Sequence, residues 1–100
     1  MKIPSRIRTS GHIYKVIKSH KFIEQSNIDG QADHNLLEIR LADIDKSGKK
    51  ISNSVREEVF FHELLHCANL YFNDSKAPEE TISSLSRGMY QILKDNKILK

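Results

Sequence analysis

The sequence predicts an α+β fold, in which a small antiparallel or mixed β-sheet from the first half of the chain packs on two C-terminal helices. Three observations predict it. Two strand-like segments flank a polar turn near the N-terminus, a later segment alternates apolar and polar residues, and the second half carries apolar residues at helical spacing. The chain has 100 residues, which are enough for one domain and too few for two independent cores, so residues 1–100 are predicted to form a single domain.

The first half of the chain shows strand signals separated by a polar segment. Residues 3–9 and 12–18 flank Ser10 and Gly11, and this arrangement predicts a β-hairpin. Residues 27–34 are rich in Asp, Gly, Asn and Gln, a composition that predicts a loop or a tight connection.

A further strand is predicted for residues 36–41. In this segment Leu37, Ile39 and Leu41 fall on one face, and charged side chains fall on the other. Such alternation is typical of a strand with one buried face.

Two helices are predicted in the second half. Ser54 and Glu57 fit a capping box, in which the two side chains satisfy free backbone amides, and the first helix is expected to run from there to about Asn73. Pro78 is tolerated in a first helical turn, and the apolar spacing predicts a second helix from residue 79 to about residue 94.

Composition narrows the possible environment and partners. The net charge is +3, with acidic residues interspersed among the basic ones, so the balance favours a solvated mixed-charge surface over nucleic-acid binding. No apolar run approaches the ~18 residues expected of a membrane helix. Cys67 is the only cysteine and no secretory signal opens the chain, which favours a cytoplasmic setting. A domain this small gains stability from a cross-link between its segments, and a bound metal ion could provide one where a disulfide cannot.

The first predicted helix carries a His-Glu-x-x-His motif (HExxH) in otherwise apolar surroundings, so it is expected to be buried on most sides. His62, His66 and Asn69 lie on one narrow stripe of this helix, with Glu63 beside it. Two imidazoles four residues apart can both direct a nitrogen at one Zn²⁺, and the glutamate can reach a zinc-activated water. A metal site is favoured over satisfied core histidines, because the match falls in an apolar helix and a suitable third ligand follows it.

The third ligand is expected at the start of the second helix. Glu79 shares its helical face with Ile82, Ser86 and Met89, the predicted core face, whereas Glu80 falls on the predicted solvent face. Acidic residues also occur in first helical turns simply to complement the helix dipole, and this is the reading we give to the second glutamate. The predicted metal ligands are therefore the two motif histidines and the first glutamate.

These residues resemble a gluzincin, a metallopeptidase in which His-Glu-x-x-His is followed by a glutamate ligand on the next helix. The similarity is to small phage- and prophage-encoded zincin-like proteins, distant relatives of ImmA/IrrE-type and SprT-type metallopeptidases. It spans most of the chain, including the N-terminal hairpin, the His-Glu-Leu-Leu-His helix and the C-terminal segment from Glu79 to Asn96. The resemblance implies a minimal zincin-like domain with zinc bound by His62, His66 and Glu79 and with Glu63 as general base. It also implies the host-cell cytoplasm as the location if the protein is phage-encoded.

The expected function is that of a zinc-dependent metallopeptidase, a hydrolase acting on a peptide or protein substrate. The resemblance implies that a sheet edge near the cleft binds an extended peptide as an added strand, and residues 36–41 are the candidate strand. His34, Tyr71 and Tyr90 are candidate donors to the oxyanion. Cys67 is turned ~100° from the second histidine and is predicted to be a small buried apolar residue that misses the metal.

Two other functions are alternatives to the peptidase. One is a zinc-stabilised, catalytically silent zincin-like module that binds a host or virion protein; the intact Glu63 argues against it and the small size argues for it. The other is a small nucleic-acid-binding protein, which the scattered lysines do not favour.

Overall fold

In the computed structural model, which describes residues 2–20 and 29–99, four strands precede two helices, and this confirms the predicted α+β arrangement. The elements are β1 (Arg6–Thr9), β2 (His12–Ile17), β3 (Gly30–Asp33), β4 (Glu38–Leu41), α1 (Asn53–Asn73) and α2 (Glu79–Asp95). The strands form one mixed sheet in the order β1-β2-β4-β3. The β1–β2 and β3–β4 pairs are antiparallel and the β2–β4 pair is parallel.

The predicted N-terminal hairpin is confirmed. Ser10 and Gly11 form its two-residue turn, and both have positive φ angles, 53° and 80°, as a type I′ turn requires. Tyr14 and Val16 alternate inward from β2, and both are buried in the core with residues of β4 and α1.

The predicted loop at residues 27–34 is wrong over Gly30–Asp33, which forms β3; residues 27 and 28 lie outside the described part of the chain. This short polar segment has little strand propensity of its own. Side chains across the pair add to the ladder, because the Arg40 guanidinium donates to Gln31 and Asp33. The Asp33 carboxylate also accepts the backbone amides of Asn35 and Leu36, and these bonds form the turn that follows β3.

The predicted strand at residues 36–41 is confirmed for Glu38–Leu41, but it is not an edge. It pairs with β2 on one side and with β3 on the other, so the prediction that it binds a peptide as an added strand is wrong. Ile39 and Leu41 are fully buried, as the alternation predicts. Leu37 belongs to the preceding turn, with a φ of 55°. The edge strand that packs against α1 is β3.

Helix α1 begins two residues earlier than predicted. Its N-cap is Ser52, whose hydroxyl accepts the Val55 amide, and the predicted capping box at Ser54 and Glu57 is wrong. The Glu57 carboxylate is instead buried and accepts the Tyr90 hydroxyl from α2. The helix ends at Asn73, as predicted.

Fewer residues of α1 are buried than its apolar composition predicts. Its buried residues form one stripe, Glu57, Phe60, Glu63 and Cys67, and the expected burial on most sides is wrong: Phe72 is 76% exposed. The stripe results from one-sided packing, because the sheet covers one face and α2 covers only part of the rest.

Helix α2 begins at Glu79 with Pro78 as its N-cap and ends at Asp95, close to the predicted bounds. Ile82 and Ser86 face α1 as predicted, but Met89 is 46% exposed and Tyr90 is buried in its place. The buried positions are four residues apart, a spacing that follows a single neighbouring helix. In the described part of the chain, neither helix combines the length and apolar character needed to cross a membrane.

Candidate metal centre

The two motif histidines lie one turn apart on α1 and direct the same ring nitrogen toward each other. The Nε2 atoms of His62 and His66 are 3.1 Å apart. Burial lowers the pKa of the His66 imidazole, the negative charge of Glu79 opposes this, and repulsion from the His62 and His34 imidazoles lowers it further. A neutral imidazole is the form that binds metal ions.

Glu79 reaches this pair from the first turn of α2. Its Oε1 lies 2.7 Å from His62 Nε2, and its Oε2 lies 2.9 Å from His66 Nε2. The three ligand atoms all fall within 4.8 Å of one another, and in the described part of the chain Glu80 is not a member of this group. The structure thus brings together the three residues that the sequence predicts as ligands.

The donor set fits a zinc ion. Tetrahedral Zn²⁺ with bonds of 2.0–2.1 Å holds its donors roughly 3.3 Å apart. The separations among His62, His66 and Glu79 are 2.7, 2.9 and 3.1 Å, so small rotations of the side chains suffice to reach that geometry. Two imidazoles and one carboxylate are also a ligand number and type found in catalytic zinc sites.

Glu63 lies beside this cluster in a nearly dry environment. Its side chain is 5% exposed. Burial, together with the negative charge of Glu79, raises its pKa to about 7, and a hydrogen bond from the Ala32 backbone amide opposes the rise. A carboxyl with a pKa near neutrality is suited to accept and return a proton at neutral pH.

A cleft of about 360 Å³ opens between β3, α1 and α2, and two of the three clustered ligands, His62 and Glu79, form part of its wall. Gly30 contributes the β3 side, and His62, Glu63 and Glu79 contribute the helical side. By the antiparallel alternation, the backbone groups of Gly30 and Ala32 point away from β4, consistent with the Ala32 amide donating to the buried glutamate.

Gly30 allows β3 to lie directly against α1. A Cβ built at this position overlaps the Val59 side chain and lies 3.1 Å from Glu63 Oε2, so no larger residue fits without moving the strand. The backbone of β3 can therefore reach the glutamate only because this residue has no side chain.

Gly30→Ala is expected to destabilise the protein by about 1–3 kcal/mol, because β3 must shift to relieve the overlap. Gly88→Ala is the matched control, since a Cβ there meets nothing within 4 Å in the interior of α2. That control is expected to stabilise the protein by roughly 1 kcal/mol through helix propensity. Urea unfolding measures the free energy of unfolding of both variants, which is expected to fall in Gly30→Ala and to rise in Gly88→Ala. Equal changes in the two variants would contradict the close approach of β3 to α1.

Asn69 has a role that the sequence does not reveal. Its side chain holds the loop before α2. Its Oδ1 accepts the Ala77 amide at 3.0 Å, and its Nδ2 donates to the Ala77 carbonyl at 3.0 Å. The loop is thereby fixed two residues before Glu79. The short link between the helices was the only signal in the sequence for such a contact.

Asn69→Ala is expected to weaken zinc binding by about 10–100-fold, the range seen when a residue that orients a ligand is lost. The reason is that Glu79 becomes mobile relative to the histidines while all three ligands remain. Asn73→Ala is the control, because Asn73 contacts Asn69 Oδ1 but not the loop carbonyl. Competition with a chromogenic chelator measures both, and equal zinc affinity in Asn69→Ala and wild type would show that the loop needs no clamp.

The other residues considered for the site differ in their positions relative to the metal ligands. Tyr90 donates to Glu57 at 3.2 Å, eleven residues along α2 from Glu79, so it lies away from the metal cluster. Cys67 is buried, burial raises its thiol pKa to about 11, and it is not among the clustered ligands. The His34 and Tyr71 rings contact each other, with centroids 6.2 Å apart. No protein-family model, curated protein or solved structure matches this chain.

Proposed function

We propose that this protein is a zinc-dependent metallopeptidase of the gluzincin type. The observation that carries the proposal is the position of Glu63: a buried carboxyl with a pKa of about 7 lies beside a cluster of two histidines and one glutamate. A purely structural metal site has no use for such a group. The likeness to small phage-encoded zincin-like proteins is part of the proposal, as is a minimal zincin-like fold.

The chain supplies the ligands and the base. His62, His66 and Glu79 would hold the ion, which when bound supplies Lewis acidity toward a peptide carbonyl and toward water. Glu63 takes a proton from the attacking water as its oxygen bonds to the carbonyl carbon. The same carboxyl then gives the proton to the nitrogen as the C–N bond breaks, so that a carboxylic acid and an amine are released.

The substrate is proposed to lie along β3 as an added strand. This strand is the sheet edge that walls the cleft, and its Gly30 backbone groups and Ala32 carbonyl point away from β4, while the Ala32 amide donates to Glu63. An extended peptide at this edge passes both the buried glutamate and the ligand cluster. A short cleft of this kind suits cleavage of one exposed segment of a protein more than general digestion. The cytoplasmic setting is part of the proposal, on the basis of the single reduced Cys67.

The test is cleavage of a diverse peptide library by the zinc-loaded protein, read by mass spectrometry. We expect new peptide ends from the wild type and none from Glu63→Gln at equal zinc content. Cleavage that persists in Glu63→Gln would identify a contaminating protease. Zinc binding without any cleavage would instead support the silent zincin-like binding module.

A further inference from the structure

A partly buried hydrogen-bond chain joins β2, α1 and the turn that follows β3. Tyr14, in the middle of β2, is fully buried among core side chains. Its hydroxyl lies 2.8 Å from His34 Nδ1 and 2.6 Å from the Tyr71 hydroxyl. The three rings also meet edge-on, with centroids 5.9 to 6.3 Å apart. A hydroxyl this deep in the core must satisfy both its proton and its lone pair, and these two partners do so.

This hydrogen-bond chain lies next to the predicted metal ligands His62, His66 and Glu79. Strand β3 passes Glu63 at Gly30 and Ala32, and His34 follows two residues after Ala32, as the first residue of the turn that ends β3. The imidazole of His34 is near enough to His66 to contribute to lowering its pKa. His34 and Tyr71 are each only half-buried, so both reach toward solvent from the buried Tyr14.

The hydrogen bonds among Tyr71, Tyr14 and His34 have a preferred donor-to-acceptor direction. Each hydroxyl carries one proton, so Tyr14 donates either to His34 or to Tyr71. An imidazole nitrogen is a much stronger acceptor than a phenol oxygen, and this favours Tyr71 donating to Tyr14 and Tyr14 donating to His34 Nδ1. Burial lowers the pKa of His34, so the ring is neutral. With Nδ1 accepting, the one ring proton sits on Nε2.

We propose that His34 stabilises the oxyanion of the proposed peptidase reaction through its Nε2–H, and that Tyr14 is the positioning residue that fixes this tautomer. This inference rests on the proposed function. As the water oxygen bonds to the carbonyl carbon, the π electrons move to the carbonyl oxygen, and His34 donates a hydrogen bond to that oxygen while keeping its proton. Tyr71 completes the chain by donating to Tyr14.

The first arm of the test needs neither metal nor substrate. Nitrogen-15 NMR of the imidazoles reports which ring nitrogen carries the proton. We expect His34 to be the Nε2–H tautomer in the wild type and a mixture of tautomers in Tyr14→Phe. A His34 ring protonated on Nδ1 in the wild type would overturn the proposal. Tyr90→Phe is the matched control, because it removes another tyrosine hydroxyl bond, to Glu57, away from the ligand cluster.

The second arm measures binding of an N-phosphoryl-leucyl dipeptide, whose tetrahedral phosphoryl group resembles the oxyanion, to the zinc-loaded protein. We expect His34→Gln to weaken this binding about 100-fold, the lower end of the effect of losing one oxyanion donor, and Tyr14→Phe to weaken it less. A planar dipeptide hydroxamate and zinc itself should bind equally to these variants and to Tyr90→Phe. Unchanged phosphoryl affinity in His34→Gln would overturn the proposal. Failure of the peptidase proposal appears separately, as absence of library cleavage by the wild type.

Discussion

His66→Ala and Glu79→Gln are each expected to lose the zinc ion that the wild type retains. The two side chains face each other at 2.9 Å and supply two of the three clustered donors, so either change leaves too few ligands. The loss of affinity should exceed the ~10–100-fold cost of removing a residue that merely orients a ligand. Elemental mass spectrometry of proteins purified side by side without a histidine tag measures the zinc content.

Glu80→Gln is the matched control for this experiment. It changes the next residue of α2, which is turned ~100° from Glu79 and carries the same charge near the same helix N-terminus. Full zinc content is expected in this variant. Zinc retained in Glu79→Gln but lost in Glu80→Gln would identify Glu80 as the third ligand, and this would contradict the short distances from Glu79 to the two histidines.

Stability gives a second measurement of the same site. Free zinc at 100 times its dissociation constant stabilises a folded protein by about 2.7 kcal/mol if it binds only the native state. The unfolding midpoint of the wild type should therefore rise with zinc, and that of His66→Ala should not. A zinc-dependent rise of equal size in both would mean that the ion binds elsewhere.

The centre of the site could be predicted because its geometry is local. His62 and His66 share a face on any regular helix, and the pattern that identifies α1 also fixes their direction. Glu79 required one further step, the phase of α2, and the residues on either side of it supplied that phase. The distances of 2.7 and 2.9 Å from Glu79 to the histidines agree with this reasoning.

The parts that could not be predicted depend on pairing between distant segments. Gly30–Asp33 forms a strand because β4 pairs with it and α1 lies against it. The residue types of this segment indicate neither contact. The same absence of long-range information made β4 look like an available edge. The clamp formed by Asn69 also depends on where the loop folds back, which helical spacing does not specify.

Apolar spacing also overstated burial. Periodicity identifies which side of a helix is apolar, but it does not say whether a neighbour covers that side. Phe72 and Met89 are examples, since both extend the predicted apolar pattern and yet remain largely exposed. In the part of the chain that the structure describes, α1 packs against one partner helix and one sheet face, so its buried stripe is narrow.

Glu63→Gln is expected to have two effects of opposite sign. The first is a fall of about 10²–10⁴-fold in peptide hydrolysis at unchanged zinc content, because the amide cannot take a proton from water. The second concerns stability. The pKa of Glu63 rises from 4.5 to about 7 on folding, so its contribution to stability is fully present below pH 4.5 and is lost as the pH rises through 7.

Above pH 7 the wild type therefore carries the cost of a buried charge that glutamine removes. The shift corresponds to about 3 kcal/mol in the metal-free protein at pH 8, with little difference left near pH 4.5. Urea unfolding in the presence of a chelator at both pH values measures it. Glu58→Gln on the same helix is the control, with its half-exposed carboxylate paired to Arg87, and should stay within about 0.5 kcal/mol of wild type.

The sign of the stability change tests whether the buried Glu63 carboxylate is costly to the metal-free fold. Burial and the negative charge of Glu79 disfavour the carboxylate, and the hydrogen bond from the Ala32 amide favours it. Because the pKa is raised, the cost is the larger of the two, so Glu63→Gln is expected to be more stable than wild type at pH 8. A Glu63→Gln variant that is less stable than wild type at pH 8 would contradict the raised pKa, whereas the loss of hydrolysis tests the role of Glu63 as the base.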